Sequence, residues 1–316
     1  MRLLSLLFSL LIAPSAYAQS AHVLIVVGLA GDPEYGELFN KWGSSLATMA
    51  TEKLSVPKDN VTLLTDAAAT KDGVLKAFGA LAQNAGEEDT IMIVLFGHGT
   101  FANKVAKFNL TGPDMTPQDF LPLLAKLKSR RVVFADTTSA SGPFVEALSG
   151  PGRVIVAATR TGGEMYAPLF GGPFVEAFTN EGADADHDGK ISILEAFDYA
   201  KKTVATSYQR EGLLPVEHAV LDDNGDKEGS AEPGRQAKDG RSAAVLSIGS
   251  MRRQAAPANE KLRALYAERD AIERRIDSLK LLKSGMDPAK YSQELEKLAT
   301  DLALKAREIR AAEGAK

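Results

Sequence analysis

The run His22-Val-Leu-Ile-Val-Val-Gly28 decides the fold class. It is short, continuous and rich in β-branched residues, without the alternation that a strand with one wet face would show. Such a run predicts a strand buried on both faces, as in a parallel sheet. Runs of the same kind recur at 61–65, 90–96, 131–135 and 153–158, and helical patterns fill the gaps at 35–53, 71–84 and 117–127. Strands alternating with helices at this spacing predict an α/β domain with a mainly parallel sheet flanked by helices. A last strand is expected at 243–248, with a long excursion over 171–241 decorating the sheet edge.

Both ends of the chain read differently. Arg2, the apolar run 3–12 and the small-x-small triplet Ala16-Tyr17-Ala18 form a secretory signal pattern over 1–18, so the mature chain is expected to start near Gln19. The apolar run is too short to anchor in a bilayer, which implies an exported protein, periplasmic or secreted. The α/β domain is then expected over 19–250. Residues 257–316 are dense in Ala, Leu, Glu, Lys and Arg. Leu265, Ile272, Ile276 and Leu279 recur at helical spacing, as do Tyr291, Leu295, Leu298, Leu302 and Ile309. Pro288 follows a break, so the tail predicts a helical hairpin. Its apolar stripes could close on one another, pack on the α/β domain, or support self-association.

Composition excludes several chemistries. A formal net charge of −4 over 316 residues gives no general attraction to nucleic acid or anionic lipid. The chain has no cysteine, which removes disulfides, thiolate metal sites and thiol nucleophiles.

Chemistry concentrates where strands end. Gly97-His98-Gly99 follows the strand IMIVLF, and ligands of open parallel sheets sit beyond such carboxyl ends. His98, one of four histidines, is a catalytic candidate there, with a structural histidine as the alternative. The next strand runs into Asp136-Thr137-Thr138-Ser139-Ala140-Ser141-Gly142. That turn reads either as a hydroxyl-rich helix cap or as a nucleophile loop opposite His98.

Together, the HVLIVVG strand, the GHG after the third strand, the hydroxyl–Ser-Gly turn and RVIVAATRTGGEMY resemble the legumain and caspase-like cysteine peptidases. The resemblance covers roughly 21–250 and is greatest to bacterial exported relatives of legumain. It implies a caspase-like sheet and action on polypeptides. In that family a His-Gly after one strand and an Ala-Cys-x-Ser-Gly-like turn after the next carry the catalytic dyad. Carried over by position, His98 matches the histidine, Ser141-Gly142 match the Ser-Gly, and Ser139 stands where the cysteine belongs. A hydroxyl does not ionise near neutrality and needs a base in hydrogen-bond contact, so this exchange removes most of the expected activity.

Two function classes follow. One is a polypeptide-binding homologue that has lost catalysis, which the missing thiol favours. The other is a serine hydrolase in which Ser139 attacks, His98 moves protons, and amides near Gly99 and Ser139 hold the oxyanion. Asp136 and Glu164 are the candidates for a third member. A purely structural envelope protein would leave His98 unexplained.

The most specific pattern is Asp184-Ala-Asp186-His-Asp188-Gly189-Lys190-Ile-Ser192-Ile-Leu-Glu195. Oxygen ligands fall at positions one, three and five, glycine at six and glutamate at twelve, which is the EF-hand spacing for calcium. Lys190 would contribute its carbonyl and Ser192 its hydroxyl or a water. The ion is expected to be structural. No paired loop is expected, because the segment from Leu221 has Lys227 where glycine is needed. There the sequence predicts a tight Asn224-Gly225 turn, with a weak ion site as the alternative.

Overall fold

The computed structural model describes residues 20–186, 188–249 and 260–313. The signal pattern 1–18, His187 and both edges of the tail, 257–259 and 314–316, lie outside the described residues.

The chain is α/β. Six strands form one sheet: β1 (Ala21–Val27), β2 (Val61–Leu64), β3 (Thr90–Phe96), β6 (Arg131–Asp136), β7 (Arg153–Ala157) and β8 (Val220–Asp222), in the order β2-β1-β3-β6-β7-β8. The first five are parallel, and β8 joins antiparallel to β7. A separate hairpin, β4 (Gly99–Ala102) and β5 (Val105–Phe108), springs from the end of β3, turning through Asn103 and Lys104, both at positive φ.

The continuous apolar runs are explained by two cores. Val23, Ile25 and Val27 of β1 face one layer, and Leu24 and Val26 face the other. The first layer is closed by α1 (Pro33–Glu52), α5 (Gly171–Ala177) and α6 (Ile193–Glu211), with Phe39, Phe174 and Phe197 buried. The second is closed by α2 (Lys71–Asn84), α3 (Pro117–Leu124) and α4 (Gly142–Leu148), through Phe78, Phe120 and Phe144. Strands covered on both faces have no position at which a polar residue could reach water.

The last strand differs from expectation. Segment 243–248 forms turns and one isolated bridge, Ser192 to Ser247, while the sheet's final strand is β8. Ala243 and Leu246 accept from the amides of Leu194 and Ile193, so this apolar stretch packs on the first turn of α6. Its burial, not strand pairing, accounts for its hydrophobicity.

The tail forms α7 (Glu260–Leu281) and α8 (Pro288–Glu313), packed on each other with Leu279, Leu298 and Ile309 buried. Arg131, at the start of β6, donates to Ser278 Oγ at 2.8 Å, and Lys190 pairs with Glu273 at 3.7 Å. The stripes therefore close on the partner arm, and the hairpin also holds the α/β domain. Among the described residues no helix is long and apolar enough to cross a membrane.

Candidate functional site

His98 and Ser139 both arrive at the carboxyl edge of the sheet, on the turns after β3 and β6, which are neighbouring strands. They do not bond to one another. The Ser139 hydroxyl accepts from Gly99 N at 3.0 Å and donates to Gly99 O at 3.1 Å. Ser139 is 1% exposed. The His98 ring stands edge-to-face against two mutually stacked aromatic rings of α1, with centroids 4.8 Å from Tyr35 and 5.2 Å from Phe39. Among the described residues no hydrogen bond or ion pair reaches that imidazole.

The turn from 136 to 142 is a network of buried hydroxyls. Thr138 donates its Oγ1 to Asp136 Oδ1 at 2.7 Å, and its amide donates to the same oxygen. Thr137 Oγ1 donates to Leu95 O at 2.7 Å. Ser141 Oγ accepts from Thr159 N and pairs with Thr159 Oγ1, each at 3.1 Å, tying the turn to the end of β7. Ala140 is left-handed at φ +57°, and its amide donates to Glu164 O. That conformation is costly for a residue with a Cβ, so the surrounding bonds hold it in place. Gly99 admits no other residue, because a Cβ there would lie 2.0 Å from Ser139 O.

Neither carboxylate candidate completes a triad. Glu164 accepts from the amides of Arg160 and His218 and stands 3.5 Å from His218 Nδ1. Asp136 is fully buried, and its Oδ2 has no hydrogen-bond partner. Burial pushes its carboxyl up to about 7 against the two bonds from Thr138.

Of the six expected cation ligands, the structure brings together Asp184, Asp186 and Asp188, whose ligand oxygens lie within 4.8 Å of one another. Asp184 accepts from the amides of Asp188 and Gly189, and Asp188 accepts from Lys190 N. Burial raises the Asp188 carboxyl above the ordinary range, with further repulsion from Asp186 and Asp184. Gly189 takes the left-handed turn at φ +81°. The other three positions are engaged differently. Glu195 accepts from the amides of Ala185 and Asp186 through Oε1, and from Ser192 N and Oγ through Oε2, in a capping box that starts α6. Lys190 turns its ammonium to Glu273. Asp186 pairs with Arg235.

The sequence offered one further feature only as an alternative, and a second not at all. Asp222, Asp226 and Asp239 form a second acidic cluster with ligand oxygens within 4.8 Å, and burial pushes Asp239 up to about 6. The signal for its first half, Asp222-x-Asn224-x-Asp226, is present in the sequence; Asp239 arrives by tertiary folding. The second is a set of exposed apolar side chains: Met165, Tyr166 and Leu169 on one loop, Leu213, Leu214 and Val216 on another. Glu217 binds the two loops together by accepting from the amides of Leu169 and Phe170. A cavity of about 390 Å³ opens at the exit of β1, lined by Gly28, Leu29, Asp32, Asn40 and Thr111 among others.

Asp136 makes a pH-dependent contribution whose sign is fixed. Its carboxyl holds a proton in the fold up to about 7, against 3.8 for a free aspartate. The folded state therefore binds the proton more tightly, and stability from this group is full at low pH and lost as pH rises to about 7. Asp136→Asn, which cannot ionise, is expected to remove part of the fall in melting temperature across that window. Parallel melting profiles of wild type and variant would contradict the assignment.

No family model and no curated protein matches this chain. Among solved structures it is similar to the crystal structure of a protein from Geobacter sulfurreducens at 14% identity. That match covers 64% of this chain and 92% of the other, with a TM-score of 0.45.

Proposed function

We propose that the chain is an exported homologue of the legumain and caspase-like peptidases that binds polypeptides without cleaving them. The observation carrying this reading is the fate of the Ser139 hydroxyl. It is buried, bonded in both directions to the main chain of Gly99, and out of contact with any base. A serine nucleophile needs a base in hydrogen-bond reach and an exposed oxygen. The Gly99 amide, which a hydrolase would direct at an oxyanion, is taken by Ser139 itself. Export rests on the signal pattern at 1–18.

Binding has its own support. Tyr166 is 74% and Leu214 86% exposed, on loops that Glu217 joins. Single exposed apolar residues are ordinary, but several on adjoining loops form a patch suited to a partner. The 160–169 loop is also bonded to the Ser139 turn, through Ala140 N and Glu164 O. An extended, partly apolar polypeptide fits this edge, with the cavity beyond β1 as a further pocket.

A fluorophosphonate probe should leave Ser139 unlabelled, while a fluorescent unfolded polypeptide such as denatured casein should bind by anisotropy. Tyr166→Ser combined with Leu214→Ser should weaken that binding at least tenfold. Labelling at Ser139, or cleavage of the polypeptide, would establish the serine hydrolase instead. Unchanged binding by the double variant would remove the patch from the account.

Calcium at the loop Asp184–Glu195 belongs to the same proposal, as a structural ion. The three aspartates offer hard oxygen donors in a turn already bent at Gly189, and Glu195 could join by releasing the amides of Ala185 and Asp186. Binding would stabilise the fold by roughly 2.7 kcal/mol with calcium at a hundred times its dissociation constant. Melting curves with calcium and with chelator should therefore separate for wild type. For Asp184→Ala combined with Glu195→Gln, the separation attributable to this loop should vanish. A variant that keeps the full wild-type response would show that the loop is only an acidic turn.

A further inference from the structure

We propose that the turn from Asp222 to Glu228, closed by Asp239, is a second site for a hard divalent cation, with calcium the best match to its donors. This site shares no ligand residue with the Ser139 turn or with the loop at Asp184.

The turn repeats the first loop's wiring at positions three and five, each accepting from the amide two residues on, but at position one Asp184 accepts from positions five and six and Asp222 from positions three and four. Asp222 Oδ1 accepts from the amides of Asn224 and Gly225, at 3.2 and 3.1 Å. Asn224 Oδ1 accepts from Asp226 N at 2.7 Å, and Asp226 Oδ1 accepts from Glu228 N at 2.9 Å. Asp222, Asn224 and Asp226 thus hold positions one, three and five. At position six, Lys227 sits at φ +74°, beside φ +81° for Gly189 in the first loop. The lysine takes the left-handed turn for which the sequence pattern calls for glycine, so the missing glycine does not prevent the loop.

Wiring alone makes a turn, not a site. What calls for a ligand is Asp222, only 1% exposed, whose Oδ1 takes both turn amides while its Oδ2 is buried without any hydrogen-bond partner. Asp239 is equally buried, and its carboxylate comes within 4.8 Å of those of Asp222 and Asp226. Two buried carboxylates beside one another are costly unless a cation compensates them. The cation at hand, Lys238, serves other oxygens: it bonds Asp226 Oδ2 at 2.6 Å and Glu228 Oε2 at 2.8 Å, in a largely exposed position. Among the described residues no ion pair reaches Asp222 or Asp239.

The donors select the ion. Carboxylates and an amide oxygen are hard ligands, and Glu228 stands at the seventh position, where such loops offer a main-chain carbonyl. Calcium accepts six to eight oxygens in irregular geometry, whereas magnesium requires a near-ideal octahedron. The site is also wired into the fold. Asp223 accepts from the amides of Gly240 and Ala243 at 2.8 Å each, and Ala243 O accepts from Leu194 N in α6. An ion here would fasten the end of β8 to the segment that braces α6.

Calorimetric titration of the chelator-treated full chain with calcium tests this. Wild type should bind two ions. Asp222→Asn combined with Asp239→Asn should bind one, and adding Asp184→Ala and Glu195→Gln should leave none. Should the buried double variant fail to fold, Asp226→Asn, on the exposed arm, should weaken the same site at least tenfold. Binding by either variant that matches wild type in stoichiometry and affinity would overturn the proposal. So would a wild type that binds a single ion removed by the Asp184 and Glu195 changes. Two ions in the Asp184 and Glu195 variant would instead count against the first loop alone.

Discussion

The hydroxyl of Ser139 and the main chain of Gly99 bond to each other in both directions, joining the turns that leave β3 and β6. The carboxyl edge of the sheet depends on this clamp. It fixes the start of the β4–β5 hairpin, requires a residue without a Cβ at 99, and seats Ala140 in a conformation that alanine seldom takes. Around it, Thr137 bonds to Leu95 O, Thr138 to Asp136, and Ser141 and Thr159 to each other, so that buried polar groups of the turn find partners on it and on the strands beside it. The exception is Asp136 Oδ2, and burial answers by keeping that carboxyl protonated to about pH 7.

The clamp also occupies the hydroxyl that the peptidase resemblance would pair with His98. A buried hydroxyl that both accepts and donates is satisfied, and freeing it for attack would leave the Gly99 amide without a partner in a site closed to water. His98 meanwhile packs against Tyr35 and Phe39, its ring held by contact and not by a carboxylate. The same edge carries the cavity beyond β1 and the apolar loops around Tyr166 and Leu214.

The sheet was legible because its strands are buried on both faces: β1 and β3 are filled almost entirely by apolar residues, and these stand out without any partner being known. β8 was not legible, since three residues, Val220 to Asp222, carry too short a pattern to distinguish an edge strand from a turn. Segment 243–248 misled for the opposite reason, being apolar to cover the first turn of α6. Ser139 and His98 could be placed on one edge from strand order alone, yet side-chain bonding is decided by fractions of a turn, and that the serine faces Gly99 is a tertiary fact. Lys227 shows the limit of motif logic. The absence of glycine argues against a left-handed residue only when nothing else imposes one, and the side-chain bonds of Asp222, Asn224 and Asp226 impose it here.

The central claim is that the Ser139 oxygen is a structural acceptor for the Gly99 amide and not a poised nucleophile. Hydrogen exchange at that single amide, followed by NMR in wild type and in Ser139→Ala, tests it most directly. Strong protection in wild type, falling by at least tenfold relative to amides of the β3 core in the variant, is the predicted result. A Gly99 amide that exchanges freely in wild type, or with equal protection in both proteins, would contradict it.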